Sequence, residues 1–180
     1  QIDGLKDKAS QLEEPNTQAA VEDIVSRYGN LKSGTESMAT RLQDQVVEHD
    51  QYKDAYRQCM DWTVTRRQQL QQLADVSGSQ DEVKRKLAQL QEVRASQPEG
   101  ELQYSQTSSL ATTVQQHTSP SGCDRITQEM NILKDEMDTL NFTSTETETA
   151  LESAVQSLEE FSTEQAQFAH WLEEAEHKVK

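Results

Sequence analysis

The residue types with the most chemical reach gather near the end of the chain. His170, Glu174 and His177 fall at i, i+4 and i+7 on one helical face, and Glu173 lies four residues before His177. Imidazoles and carboxylates are zinc ligands in such settings. The His-Glu-x-x-His order that supplies two ligands and a general base is missing, and no third rigid support stands nearby. We read the group as a solvated helix face, where residues four apart pair across one turn. Cys59 falls on an apolar stripe and reads as a small core residue. Cys123 sits among turn-forming residues with only Arg125 as a basic neighbour, so nothing there activates a thiolate. The two cysteines have no metal-ligand spacing and no disulfide framework, which suits a reducing compartment. Asn141-Phe142-Thr143 matches a glycosylation sequon, but it lies within a helical stripe and reads as accidental. With no Gly-rich phosphate loop and no nucleophile elbow, the expectation is a protein that is not an enzyme and takes no cofactor or metal.

The elements that carry these residues are helices. Val21, Ile24, Tyr28, Leu31, Thr35, Met38 and Leu42 step by 3, 4, 3, 4, 3, 4, a seam of period 3.5. The stripe continues through Val46, Tyr52, Tyr56, Cys59, Trp62, Leu70, Leu73 and Val76, and from Gly34 to Gly78 no Gly or Pro interrupts it. Gly29 and Gly34 each weaken this helix by roughly 1 kcal/mol relative to Ala. Upstream, Ile2, Leu5, Ala9 and Leu12 have helical spacing before Pro15.

Ser77-Gly78 predicts a turn, and Ser79-Gln80-Asp81-Glu82 a capping box at a new helix start. Val83, Leu87 and Leu90 follow on its seam. The next seam places are poor (Arg94, Gln97, Glu101), and Pro98-Glu99-Gly100 predicts a kink or local break. Tyr104, Ala111 and Val114 resume the helix. Residues 117–124 (HTSPSGCD) predict a loop. The last stripe runs Ile126, Met130, Leu133, Met137, Leu140, Ser144, Thr147, Leu151, Val155, Leu158, Phe161, Phe168, Trp171, Ala175. No Gly or Pro follows Cys123, so one helix of roughly 80 Å is expected.

Composition fits narrow helical cores. The 180 residues are 33% hydrophobic and 27% charged, with a mean hydropathy of -0.90. That is lean beside the roughly 45–50% apolar content of an average domain. An isolated amphipathic helix cannot hide its stripe, so these helices must pack. The net charge of -15 argues against direct binding to nucleic acid or to an anionic membrane. No apolar run is long enough to insert into a bilayer.

Trp62 and Trp171 stand 109 residues apart, and the apolar pattern around one recurs around the other. Tyr52 maps to Phe161, Cys59 to Phe168, Leu42 to Leu151, Leu31 to Leu140, Tyr28 to Met137, Ile24 to Leu133 and Val21 to Met130. Of 18 apolar positions in residues 17–62, 10 stay apolar at this offset. About 6 would match by chance, so the single stripe on which the matches fall adds most of the signal. A fixed period of this kind marks a repeat array.

Helix–loop–helix–loop–helix over residues 47–152, with Trp in the first helix at each period, resembles the spectrin-repeat family. The resemblance implies an all-α, elongated array of antiparallel three-helix bundles joined by continuous inter-repeat helices. Residues 1–46 would be the C-terminal part of one repeat, 47–152 a complete repeat, and 153–180 the first helix of a following one. Leu140-Asn141-Phe142 departs from the aromatic often found in the family's third helix. Leu87-Ala88-Gln89-Leu90, Pro98-Glu99-Gly100-Glu101-Leu102, Thr118-Ser119-Pro120-Ser121-Gly122 and Ile126 look most like repeats of the giant nesprins, nuclear-envelope rods that tie the nucleus to the cytoskeleton. Dystrophin, spectrin and plakin repeats are similar. The family's membrane-anchoring tail and actin-binding calponin-homology domains have no counterpart in these residues. The resemblance implies a cytoplasmic scaffold at the cytoskeleton or the outer nuclear membrane, with cytoskeletal proteins or actin regulators such as a formin as partners. The competing expectation is a homodimeric coiled coil, which would not need the turns at 77–78 and 118–123.

Two surfaces follow for partners. From Asp135 to Glu176 there are twelve acids and no Lys or Arg, including Glu146, Glu148, Glu152, Glu159, Glu160 and Glu164. Against them stand Arg66, Arg67, Lys84, Arg85 and Lys86, which folding about Gly78 brings to the same end of the bundle. Internal pairing is one outcome; a docking strip for a basic partner is the other. The second surface is the stripe Phe161, Phe168, Trp171, whose exposure would mark a docking or self-association face. Finally, Thr143-Ser144-Thr145-Glu146-Thr147-Glu148-Thr149 predicts a soft stretch of helix, because β-branched and polar residues favour helix less.

Overall fold

The computed structural model describes Gly4, Asp7, Lys8 and residues 15–179. The expected helix over Ile2, Leu5, Ala9 and Leu12 lies outside the described residues. Everything else is helix and short turns: α1 (Pro15–Leu73), α2 (Gln80–Ala95), α3 (Gln97–Gln115) and α4 (Pro120–Val179). Among the described residues there is no strand. The chain forms two compact units, Gln1–His49 and Asp50–Lys180.

The first unit is helical, with its apolar stripe uncovered. Ile24, Tyr28, Met38 and Leu42 are about half exposed, and Leu31 and Val46 more so. Its local support comes from exposed pairs one turn apart, Arg27–Asp23 at 3.7 Å and Lys32–Glu36 at 3.9 Å. Such pairs contribute only about 0.3–0.5 kcal/mol each.

The second unit is a helix bundle in which α1, the α2–α3 leg and α4 share two apolar clusters. One joins Leu70 and Leu73 of α1, Val83, Leu90 and Val93 of α2, and Leu140 and Leu151 of α4. Trp62, Leu87, Ala154, Val155 and Leu158 pack around it. The other joins Tyr52, Ala111, Val114 and Ile126, flanked by Tyr56, Leu110 and Met130. The end of α1 thus meets the start of α2, while Tyr52 meets the end of α3. The middle leg runs antiparallel to α1, and α4 returns parallel to it. Leu70, Leu90, Leu133 and Leu151 are completely buried. Each such side chain contributes about 1.5–3 kcal/mol relative to exposure. Cys59 is buried as expected, and Thr63 beside it donates from Oγ1 to the Cys59 carbonyl at 2.9 Å.

The capping box forms as the sequence predicts. Ser79 Oγ accepts from the Glu82 N–H at 3.4 Å, and the Ser79 N–H donates to Glu82 Oε2 at 2.7 Å. Gly78 holds φ +127, a conformation that disfavours any side chain.

Three boundaries differ from the sequence reading. Helix α1 ends at Leu73 rather than running to Val76, which is exposed. Asp75 stops it: its carboxylate accepts from the Ser77 N–H at 2.9 Å and from Ser77 Oγ at 2.8 Å, a local alternative to helical bonding. Helix α4 starts at Pro120, so the predicted 117–124 loop shrinks to residues 116–119. Proline loses nothing in a first turn, and Ser119 accepts from the Gly122 N–H at 3.4 Å. The break in the middle leg falls at Ser96, with Pro98 in the first turn of α3. The seam keeps one register across it: Val93, Gly100, Thr107 and Val114 are buried seven residues apart, whereas the expected place Glu101, one residue off, is exposed.

Candidate partner-docking surfaces

Five basic residues come from the end of α1 and the start of α2. Lys84 Nζ lies 2.8 Å from Glu159 Oε1, and Gln80 Nε2 donates to the same oxygen at 3.2 Å. The Lys84 hydrogen bond and charge hold the Glu159 carboxyl below its ordinary range. Arg67 pairs with Glu136 at 2.5 Å across α1 and α4. Lys86 turns back on the 74–79 turn, donating to the Asp75 carbonyl at 2.6 Å and the Ser77 carbonyl at 3.1 Å. Arg66 stacks over the Trp62 ring at 5.6 Å and donates to Gln69 at 2.9 Å. Arg85 is exposed and makes no ion pair among the described residues. Folding about Gly78 therefore brings basic and acidic runs together at Lys84–Glu159 and Arg67–Glu136, but not at Arg66, Arg85 or Lys86.

The acidic strip divides accordingly. Glu159 is engaged by Lys84, and Glu148 by Arg94, an ion pair between half-buried side chains. Glu160 accepts only from Gln156 of its own helix at 2.9 Å. Glu146, Glu152 and Glu164 face solvent and make no ion pair among the described residues. Among the described residues, Glu146, Glu152, Glu160 and Glu164 thus stay outside any ion pair.

The apolar surface lies on the same helix. Beyond Leu158 the α4 stripe leaves the bundle core, with Phe161, Phe168 and Trp171 each about 60% exposed. Phe168 and Trp171 stack on each other, ring centroids 5.6 Å apart.

Two structural contacts escaped the sequence reading. Gly100 lies directly against the Trp62 indole, where a Cβ would collide with the ring. The residue had signalled only a helix break; its closeness to Trp62 has no local signature. Arg94 stood at a poor seam place, yet it reaches Glu148. The charge signs of the two residues were visible, but their proximity is set by the packing of α2 against α4.

The remaining chemically capable residues do not converge. His170 and Glu174 form an exposed pair at 3.5 Å, one turn apart. Among the described residues no group of three or more His, Cys, Asp or Glu is placed to hold a metal ion. Burial pushes the Cys59 thiol up, away from the reactive thiolate. Cys123 Sγ donates to the Gln115 carbonyl at 3.4 Å. Asn141, the sequon residue, accepts from Gln97 Nε2 at 3.0 Å inside the bundle. No helix among the described residues is long and apolar enough to cross a membrane.

No family model matches the chain, and no solved structure matches it. It is similar to the Muscle-specific protein 300 kDa of Drosophila melanogaster, with 26% identity over 155 residues. That match covers 86% of this chain and 1% of the relative, so the chain spans about a hundredth of the curated relative's length.

Proposed function

We propose that this chain is a segment of a spectrin-repeat rod in a cytoskeletal linker protein, where it spaces binding sites, transmits force and docks cytoskeletal proteins. In this reading residues 47–152 are a complete repeat, 1–46 the end of a preceding repeat and 153–180 the first helix of a following one. The observation that carries it is α4. This one helix of 60 residues, about 90 Å long, supplies core side chains from Ile126 to Leu158 and continues unbroken past the core. A hydrogen-bonded helix shared between neighbouring packing units passes load from one to the next without a flexible linker. The Drosophila muscle relative and the 109-residue period support the same reading. The finer resemblance to giant nesprins extends it to a rod between nucleus and cytoskeleton, on the cytoplasmic face of the outer nuclear membrane, with actin regulators such as a formin as partners.

Stretching the chain between its two ends tests the reading. The bundle should open in a cooperative, load-bearing event. Ser157→Pro, which breaks α4 just beyond Val155, should uncouple residues 161–179 from that event. Extension without a load-bearing step would contradict the rod.

A further inference from the structure

We propose that the groove between α1 and α2, at Arg66, Arg85 and Gln89, binds an acidic helical segment of a partner protein through two carboxylates one helical turn apart. Such docking needs only the bundle and stands whether or not the rod reading holds. The groove contains a cavity of about 270 Å³, lined by Arg66, Gln69, Gln72 and Leu73 of α1 and by Gln89 and Glu92 of α2. That is small for a cofactor-sized ligand but has room for side chains. Both walls belong to the bundle itself, so the apolar stripes at 24–31 and 161–171 play no part in it.

The Arg66 guanidinium is held in place but not neutralised. It lies 5.6 Å from the Trp62 ring centroid, and Nη1 donates to Gln69 Oε1 at 2.9 Å. Its Nε is buried with no hydrogen-bond partner among the described residues, and Arg66 makes no ion pair among them. A fork fixed in this way loses little side-chain entropy when a carboxylate arrives. Gln89 also lines the adjoining opening at the 74–79 turn, together with Arg85. The other charges there are committed: Asp75 to Ser77 and Lys86, and Glu82 to the Ser79 cap. Arg85 is the cation of that opening left outside any ion pair among the described residues.

Arg85, Gln89 and Glu92 fall at i, i+4 and i+7, one face of α2. Four residues of rise place Arg85 about 6 Å along α2 from Gln89, which shares the first cavity with Arg66. Two guanidiniums are thus offered about one turn apart, the spacing of carboxylates at i and i+4 on a partner helix. The carboxamides of Gln72 and Gln89 make no side-chain hydrogen bond among the described residues and can donate to the remaining carboxylate oxygens. Glu92, one turn beyond Gln89 from Arg85, opposes an acid in the cavity and limits the acidic stretch to that turn. The chain's net charge of -15 repels such a partner at long range, but screening at about 0.15 M salt shortens that reach to about 8 Å, so the two cations decide at contact.

Fluorescence anisotropy of a labelled alanine-rich helical peptide, titrated with the full chain at about 0.15 M salt, tests this. The peptide carries two Glu four residues apart; a control of equal charge carries them two residues apart, on opposite faces of its helix. Saturable binding is expected for the first peptide and not for the control. Arg66→Gln and Arg85→Gln should each weaken it about fivefold, and Glu92→Gln should tighten it about threefold. Arg66 also supports the Trp62 ring, so if Arg66→Gln fails to fold, the exposed Arg85→Gln and Glu92→Gln carry the test at unchanged far-ultraviolet helicity. Absence of saturable binding, equal binding of the two peptides, or binding indifferent to both Arg85→Gln and Glu92→Gln overturns the proposal. None of these results touches the rod reading, which the stretching experiment tests alone.

Discussion

Gly100 and Trp62 are in direct contact: the glycine of α3 leaves room for the indole of α1, and no Cβ fits between them. The absent side chain lets the middle leg approach just beyond its break at Ser96, where Pro98 opens α3. The same ring is capped on another side by the Arg66 guanidinium at 5.6 Å.

Gly100→Ala should therefore destabilise the bundle by about 1–3 kcal/mol, an overpacking cost, although alanine is the better helix former by about 1 kcal/mol. Gly29→Ala is the control, since nothing lies within 4 Å of a Cβ there. It should raise helicity and cost no stability. Urea unfolding of both variants checks the pair. A stabilised Gly100→Ala would mean the indole moves aside freely.

The Tyr52 phenol is held well above its ordinary range by burial first, then by the hydrogen bond and charge of Glu129. Burial raises Tyr56 and Cys59 as well. For an acid whose folded value is raised, the stabilising contribution is complete below the unfolded value and is lost as pH rises. Stability should begin to fall near pH 8.5, where an unfolded thiol ionises, and steepen above about pH 10, where an unfolded phenol does. Tyr52→Phe should flatten the upper part of that decline in urea midpoints. An unchanged alkaline profile would show that Tyr52 does not carry the decline.

The acidic strip can be reversed without touching the bundle's own ion pairs. Changing Glu152, Glu160 and Glu164 to Lys should leave the melting temperature near that of the parent and reduce salt-sensitive capture of basic partners from a cytoskeletal extract. Glu159→Lys should instead lose the contact with Lys84 and disturb the turn. Equal capture by parent and triple variant would show that the row is only a solvated face.

The threonine-rich stretch is helical throughout, but its hydroxyls bond back to their own helix. Thr145, Thr147 and Thr149 donate to carbonyls four residues earlier at 2.8–3.1 Å, and the buried Ser144 Oγ has no hydrogen-bond partner among the described residues. Residues 143–149 should exchange amide hydrogens earlier than Met130–Leu140. Equal protection would contradict a soft segment.

Much of the fold was legible because it is encoded locally. The Ser79/Glu82 box, the glycine-mediated turn at Gly78, the burial of Cys59 and the unbroken course of α4 each depend on residues within a turn or on a simple period. The end of α1 was harder, since Asp75 interrupts a stripe that Val76 continues in sequence. Gly100–Trp62, Arg94–Glu148 and the burial of Val93 in place of Arg94 were invisible for a different reason. Each depends on which faces the middle leg turns toward α1 and α4, and only tertiary packing sets that angle. At the candidate surfaces, charge signs were readable, but which carboxylates were already engaged was not.

Residues 52–158 pack within one chain rather than between two. Trp62 fluorescence during thermal melting, in a Trp171→Phe background, reads the bundle core directly. One midpoint is expected over about a hundredfold range of protein concentration, because an intrachain transition carries no mass-action term. A midpoint that climbs steadily with concentration would contradict it and favour the homodimeric coiled coil.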